Sequence, residues 1–124
     1  MKKRYKRKLG EEMLEMFIVS QEIVDDTVKE YLSDILFGVS RNEKEINKLI
    51  EENLKQNWEI DRISKINLSL LKIAIYEMIY QKLPYRIAIN EVVELAKRYS
   101  DEQAQSFING VLASIVKKQN LEEE

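Results

Sequence analysis

Glycine and proline are almost missing from this sequence, with three of the one and one of the other among 124 residues. Hairpin turns, strand bulges and phosphate-cradling loops all draw on those two residues, so their scarcity steers the chain away from sheets and towards helices. The apolar pattern agrees: hydrophobic side chains recur three and four positions apart almost throughout, and period-two alternation is scarce. Hydrophobic residues make up 44% of the chain and charged residues 34%, enough apolar surface for one core and enough charge to keep it in water. The expectation is an all-α protein, a single compact bundle of six or seven helices over residues 1–124. A basic arm over about residues 1–8 precedes it, and an acidic tail over about 120–124 is expected to fray.

Leu9, Met13, Met16 and Phe17 share one face of a first helix, from roughly Tyr5 to Val19. A second carries Val24, Val28, Tyr31, Leu32, Ile35 and Val39, and Gly38 is placed to close it in the left-handed conformation. Asn42 and Glu45 have capping-box spacing and open a third, whose stripe is Ile46, Leu49, Ile50, Leu54 and Trp58. The fourth, from about Ile63 to Lys82, is apolar nearly all round and suits the middle of a bundle. Pro84 ends it. The fifth runs from Ile89 to about Tyr99 on Val92, Val93, Leu95 and Ala96. Ser100 and Gln103 repeat the capping-box spacing and launch a sixth, facing inward with Ala104, Phe107, Ile108, Val111, Leu112 and Ile115. Gly110 lies inside that helix at a cost of about 1 kcal/mol against alanine, which usually marks the close approach of another backbone.

What is missing narrows the chemistry. The chain has no cysteine and no histidine, which removes disulfides, thiol nucleophiles, the commonest general base and the commonest metal ligand. Carboxylate pairs such as Glu11/Glu12, Asp25/Asp26 and Glu51/Glu52 belong to wet helix faces, and a dicarboxylate metal pair in a bundle normally also needs histidine. The three glycines are too scattered for a phosphate loop. Neither a secretory signal nor a membrane span can be built, because glutamates interrupt Leu9–Val19 and Lys72, Glu77 and Lys82 interrupt the most apolar window. The expectation is a cytoplasmic protein that is not an enzyme, without metal, cofactor or small-molecule substrate.

Charge is unevenly distributed. Lys2, Lys3, Arg4, Lys6, Arg7 and Lys8 account for six of the 20 basic side chains, while the rest of the chain carries 22 acidic against 14 basic. A cationic arm on an anionic body suits attraction to phosphates or acidic surfaces; it is equally what a solvated terminus would show. Trp58 and the Tyr76/Tyr80 pair read as bundle core rather than base-stacking platforms. Phe107, on spacing alone, is a packing residue.

The second half of the chain carries a resemblance. Trp58-Glu-Ile-Asp-Arg-Ile63, Leu71-Lys-Ile-Ala-Ile-Tyr-Glu77, Ile87-Ala-Ile-Asn-Glu-Val-Val-Glu-Leu-Ala-Lys97 and Phe107-Ile-Asn-Gly-Val-Leu112 resemble, in order and spacing, the NusB family of bacterial transcription antitermination factors. The resemblance covers about Trp58 to Val116. It implies an all-helical, non-enzymatic RNA-binding protein that pairs with the ribosomal protein NusE on boxA RNA. Such a complex helps RNA polymerase read through terminators, mainly in ribosomal RNA operons. A related domain heads certain ribosomal RNA methyltransferases; at this length the expectation is the free factor. By position, the resemblance implies RNA contact by Lys2 to Lys8, Gln103 and Phe107, and a link to NusE through Asn67 and Lys72. Asn90 and Glu91 match the family signature, with Asn90 placed to cap the fifth helix. Gly10 stands where an arginine is usual, and Ile18, or Phe17 on a shifted alignment, where a tyrosine is common. The alternative is a helical protein–protein adaptor without RNA binding of its own.

Overall fold

The computed structural model describes residues 26–55 and 58–121. The expected first helix, the basic arm, Gly10 and Ile18, and residues 122–124 lie outside them. Two compact units divide the chain, one ending at Glu43 and the other beginning at Lys44.

In the first unit, α1 runs Asp26–Arg41. Ile35, Leu36 and Val39 are buried on it, as the stripe of the second expected helix requires. Gly38 does not close this helix: it is buried within it, and the chain stays helical to Arg41. Asn42 provides the stop instead. Its side-chain amide donates to the Gly38 carbonyl at 2.8 Å and its backbone N–H reaches Gly38 and Val39. The amide nitrogen serves the helix behind, and Asn42 also stands immediately before Glu43, where the next helix opens as expected.

The second unit contains α2 (Glu43–Glu52, which starts at the boundary), a 3₁₀ turn at Ile60–Arg62, α3 (Lys65–Ile75), α4 (Tyr85–Tyr99) and α5 (Glu102–Lys118). Ser64 caps α3, its hydroxyl accepting the Asn67 N–H at 3.2 Å. Beyond Ile75 the helix widens into a π turn, Tyr76–Tyr80, rather than continuing as regular α-helix to Lys82. Lys82 then takes a left-handed φ of 61°, and Leu83 closes the end by donating to the Glu77 carbonyl at 2.9 Å. Pro84, expected only as a terminator, is also the N-cap of α4. Proline has no N–H to lose at a helix start, so α4 begins four residues before the expected Ile89.

The core is a three-way contact of α3, α4 and α5. From α3 come Leu70, Leu71, Ala74 and Ile75, with Met78 from the π turn. From α5 come Ala104, Ile108, Val111, Leu112, Ile115 and Val116. The α4 stripe is Ala88, Val92 and Ala96, small residues one turn apart that let α4 approach its neighbours closely. Each large aliphatic side chain buried here contributes roughly 1.5–3 kcal/mol relative to exposure, the bulk of what holds the unit together.

Polar pins fix the elements around that core. The Ser114 hydroxyl donates to Asn53 Oδ1, whose amide nitrogen donates to the Leu49 carbonyl at 2.7 Å, tying α5 to the end of α2. Tyr80 donates to Glu45, joining the π turn to α2. Burial, assisted by the Glu45 hydrogen bond and charge, pushes the Tyr80 phenol up to about 12, so it remains a donor far above neutral pH. At the far end, α5 finishes in an Asn120 cap with φ 58°: Asn120 donates to the Lys117 carbonyl and Leu121 to that of Val116. Asn120 and Leu121, at the start of the tail expected to fray, thus hydrogen-bond back to the helix end.

Candidate nucleic-acid interface

The register of α5 decides what the chain can present. Asp101, not Ser100, is its N-cap: its carboxylate accepts the Ala104 N–H at 2.9 Å. A carboxylate at the positive end of a helix is the stronger cap, and this frees the Ser100 hydroxyl to donate to Asn67 Oδ1 at 2.9 Å. From that start, Gln103, Phe107, Gly110 and Ser114 follow one another at three- and four-residue steps down one flank. Opposite them stands Trp58, whose backbone N–H closes a turn onto the Lys55 carbonyl at 3.0 Å.

Between these walls lies a groove of about 530 Å³, lined by Lys55, Trp58, Gln103, Phe107, Gly110 and Ser114 among others. Trp58 is 47% exposed, so the expectation that it belongs to the core is wrong. The reason is local: the helix carrying the Ile46–Ile50 stripe stops at Glu52, and Trp58 lies beyond it on a turn. Its ring sits 5.4 Å from that of Phe107, tilted by 34°. Phe107 is half-buried, between the packing residue its spacing suggests and an exposed platform. The Tyr76 and Tyr80 rings stack on each other at 5.6 Å and are also only part-buried.

Gly110 was expected to mark a close approach. The structure reverses that: a Cβ built there would meet nothing within 4 Å, and the residue is exposed at the groove. The lining carries the Lys55 ammonium and, among the described residues, no carboxylate, so no lining charge opposes an anionic visitor.

A second groove, about 620 Å³, runs along the other side of α5 against α4. Tyr85, Arg86, Asn90, Asn109 and Lys117 rim it over a floor including Ile89 and Val93. Asn90, expected as a helix cap, is in fact exposed inside α4, because the helix starts at Tyr85.

The structure thus brings Gln103 and Phe107 together on one groove. Asn67 lies in the first turn of α3, joined to Ser100 one turn before Gln103. Lys72 is buried to 6% exposure within the same helix. Lys2, Lys3, Arg4, Lys6, Arg7 and Lys8 fall outside the described residues. Sequence reasoning missed Trp58, Lys55 and Gly110 as groove residues. The signal for Gly110 was present: a mid-helix glycine whose cost had no evident structural return.

The NusB family model matches residues 1–117. The transcription antitermination protein NusB of Clostridium botulinum is 52% identical over 89 residues, which is 71% of this chain and 66% of that protein, so the match spans just under two thirds of the relative's length. Among solved structures, one of antitermination factors NusB and NusE in complex with dsRNA is similar with a TM-score of 0.72 and 28% identity, covering 92% of this chain and 87% of that one. T. maritima NusB is similar with a TM-score of 0.73 and 25% identity, covering 100% and 98%.

Proposed function

This chain belongs to the NusB family, and we propose that it acts as an RNA-binding transcription antitermination factor in the cytoplasm, pairing with NusE on boxA RNA to promote read-through in ribosomal RNA operons. Its work is binding, not catalysis. RNA polymerase is engaged indirectly, through the assembled complex.

The observation that carries this reading is the groove beside α5. Gln103 and Phe107, the two body residues that family resemblance points towards RNA, line it together with an exposed tryptophan and without a carboxylate. Binding then has two physical parts. Lys2, Lys3, Arg4, Lys6, Arg7 and Lys8 capture the phosphate backbone electrostatically, and the groove offers ring faces and an amide to unpaired bases. NusE supplies further surface, which we assign to the side of the unit where Asn67 meets Ser100. Lys72 enters this assignment from the family resemblance alone, as a buried residue of the same helix.

The test is an anisotropy titration with boxA-type RNA, with and without NusE, at two salt concentrations. About four to six phosphate contacts to a single strand give a log–log salt slope of roughly −3 to −4, so affinity falls on the order of a hundredfold between 50 and 200 mM. NusE tightens binding. A chain that pairs with NusE but gains nothing from RNA would be the adaptor instead.

A further inference from the structure

The groove has a more specific use than a general contact surface. We infer that Trp58 and Phe107 form a slot for one unpaired RNA base, seated over the bare helix surface at Gly110, with Trp58 as the residue that stacks on it. This rests on the RNA-binding reading above and adds to it the ligand and the stacking residue.

Three independent features converge. Trp58 is exposed to 47% although its indole is the largest apolar side chain available to the core. Its ring and that of Phe107 meet at a tilt of 34° with centroids 5.4 Å apart, so the rings are in contact without being parallel. Gly110 completes the argument. Its φ is not positive, so the backbone does not require glycine. Nothing lies within 4 Å of where a Cβ would project, so packing does not require it either. A helix that gives up stability at such a position, beside two rings, keeps space open for something flat.

The charge around the slot selects among flat ligands. Lys55 lines it and no carboxylate does among the described residues, which suits a group carried on a phosphate backbone. Stacking itself is tolerant of base identity, because every base has a π face. Discrimination falls to Gln103, exposed on the same flank, whose amide offers a donor and an acceptor to a base edge.

Trp58 is the chain's single tryptophan, so its emission reports on the slot directly. The full chain is titrated with boxA-type RNA, followed by anisotropy of labelled RNA and by tryptophan fluorescence, alongside RNAs carrying one abasic position each. Binding quenches the tryptophan. Trp58→Ala weakens RNA binding about tenfold, and Trp58→Phe keeps most of the affinity. One abasic position weakens the wild type by a similar factor but costs Trp58→Ala little, because base and ring act as a pair. Gly110→Ala weakens RNA binding severalfold while raising the thermal midpoint, since alanine is the better helix former.

The outcomes separate the two readings. If the wild type fails to bind RNA with NusE present, the functional reading falls. If it binds with unchanged tryptophan emission, and Trp58→Ala and Gly110→Ala bind as tightly, RNA binding stands and the slot is overturned. A loss of NusE affinity with RNA affinity intact would assign the face to protein, again against the slot. Should Trp58→Ala unfold, Gly110→Ala and the abasic scan decide.

Discussion

The groove beside Trp58 and the groove beside Tyr85 share α5 as a wall, and Ser114 lines both. The second is the larger, about 620 against 530 Å³, and carries two cations, Arg86 and Lys117, to the first groove's one. By volume and charge it is the better anion site. Its aromatic ring is engaged, however: the Arg86 guanidinium lies 5.5 Å from the centre of the Tyr85 ring and its Nε donates to the Tyr85 hydroxyl at 3.2 Å. Lys117 also sits in the last turn of α5, where a cation offsets the helix's negative end. The charges of the second groove thus have work within the protein. In the first groove the tryptophan packs on Phe107 and keeps about half its surface uncovered, and the glycine has no role that packing explains. Positive charge near a helix is a weaker sign of a nucleic-acid site than an apolar face left uncovered without structural benefit.

The largest effect should come from breaking the wall that both grooves share. Ile108 is fully buried on the core side of α5. Ile108→Ala should cost on the order of 2–5 kcal/mol in urea unfolding, and both grooves should fail with it. Next comes the arm. Deleting residues 2–8 should weaken RNA binding about a hundredfold at low salt and flatten the salt slope, while leaving helical content and NusE binding nearly intact. Phe107→Ala should behave differently in kind. It should weaken RNA binding about tenfold yet leave the salt slope unchanged, because a stacking ring releases no counterions. If Phe107→Ala flattened the slope as arm deletion does, base contact and phosphate contact would not be separable along this surface.

The fold was readable because burial imposes a period. The stripes through Ile46 and Ile50, and through Ala104, Ile108, Val111, Leu112 and Ile115, are buried as their spacing demands, with Phe107 on the same spacing only half-buried. Helix ends were read less well, since several residues near each end can satisfy the same orphan groups. Asn42 closes the helix behind it as well as standing before the one ahead, and Asp101 outcompetes its neighbour Ser100 for the cap of α5. The site was half legible. Gln103 and Phe107 came from family resemblance, whereas Trp58 was misread because i+4 spacing carried on past the residue where α2 stops. Gly110 was noticed for the right reason and given the wrong occupant: open space replaces the expected backbone.

The smallest predicted change is the sharpest test of the contrast between the grooves. Arg86→Gln combined with Lys117→Gln removes both cations that rim the second groove and leaves the first untouched. If the RNA runs past Trp58 and not past Tyr85, affinity at fixed salt should change by no more than about twofold, the residue of lost long-range attraction. The salt slope should not move. Were both cations in contact with phosphates, the slope would lose about 0.7 for each, a change the same titration resolves. Such a loss would put the backbone across α5 and make the two grooves a single track, with bases on one side and phosphates on the other. An unchanged slope leaves the Arg86 and Lys117 charges to the protein's own ring and helix end, and confines base recognition to the side where glycine replaces a side chain.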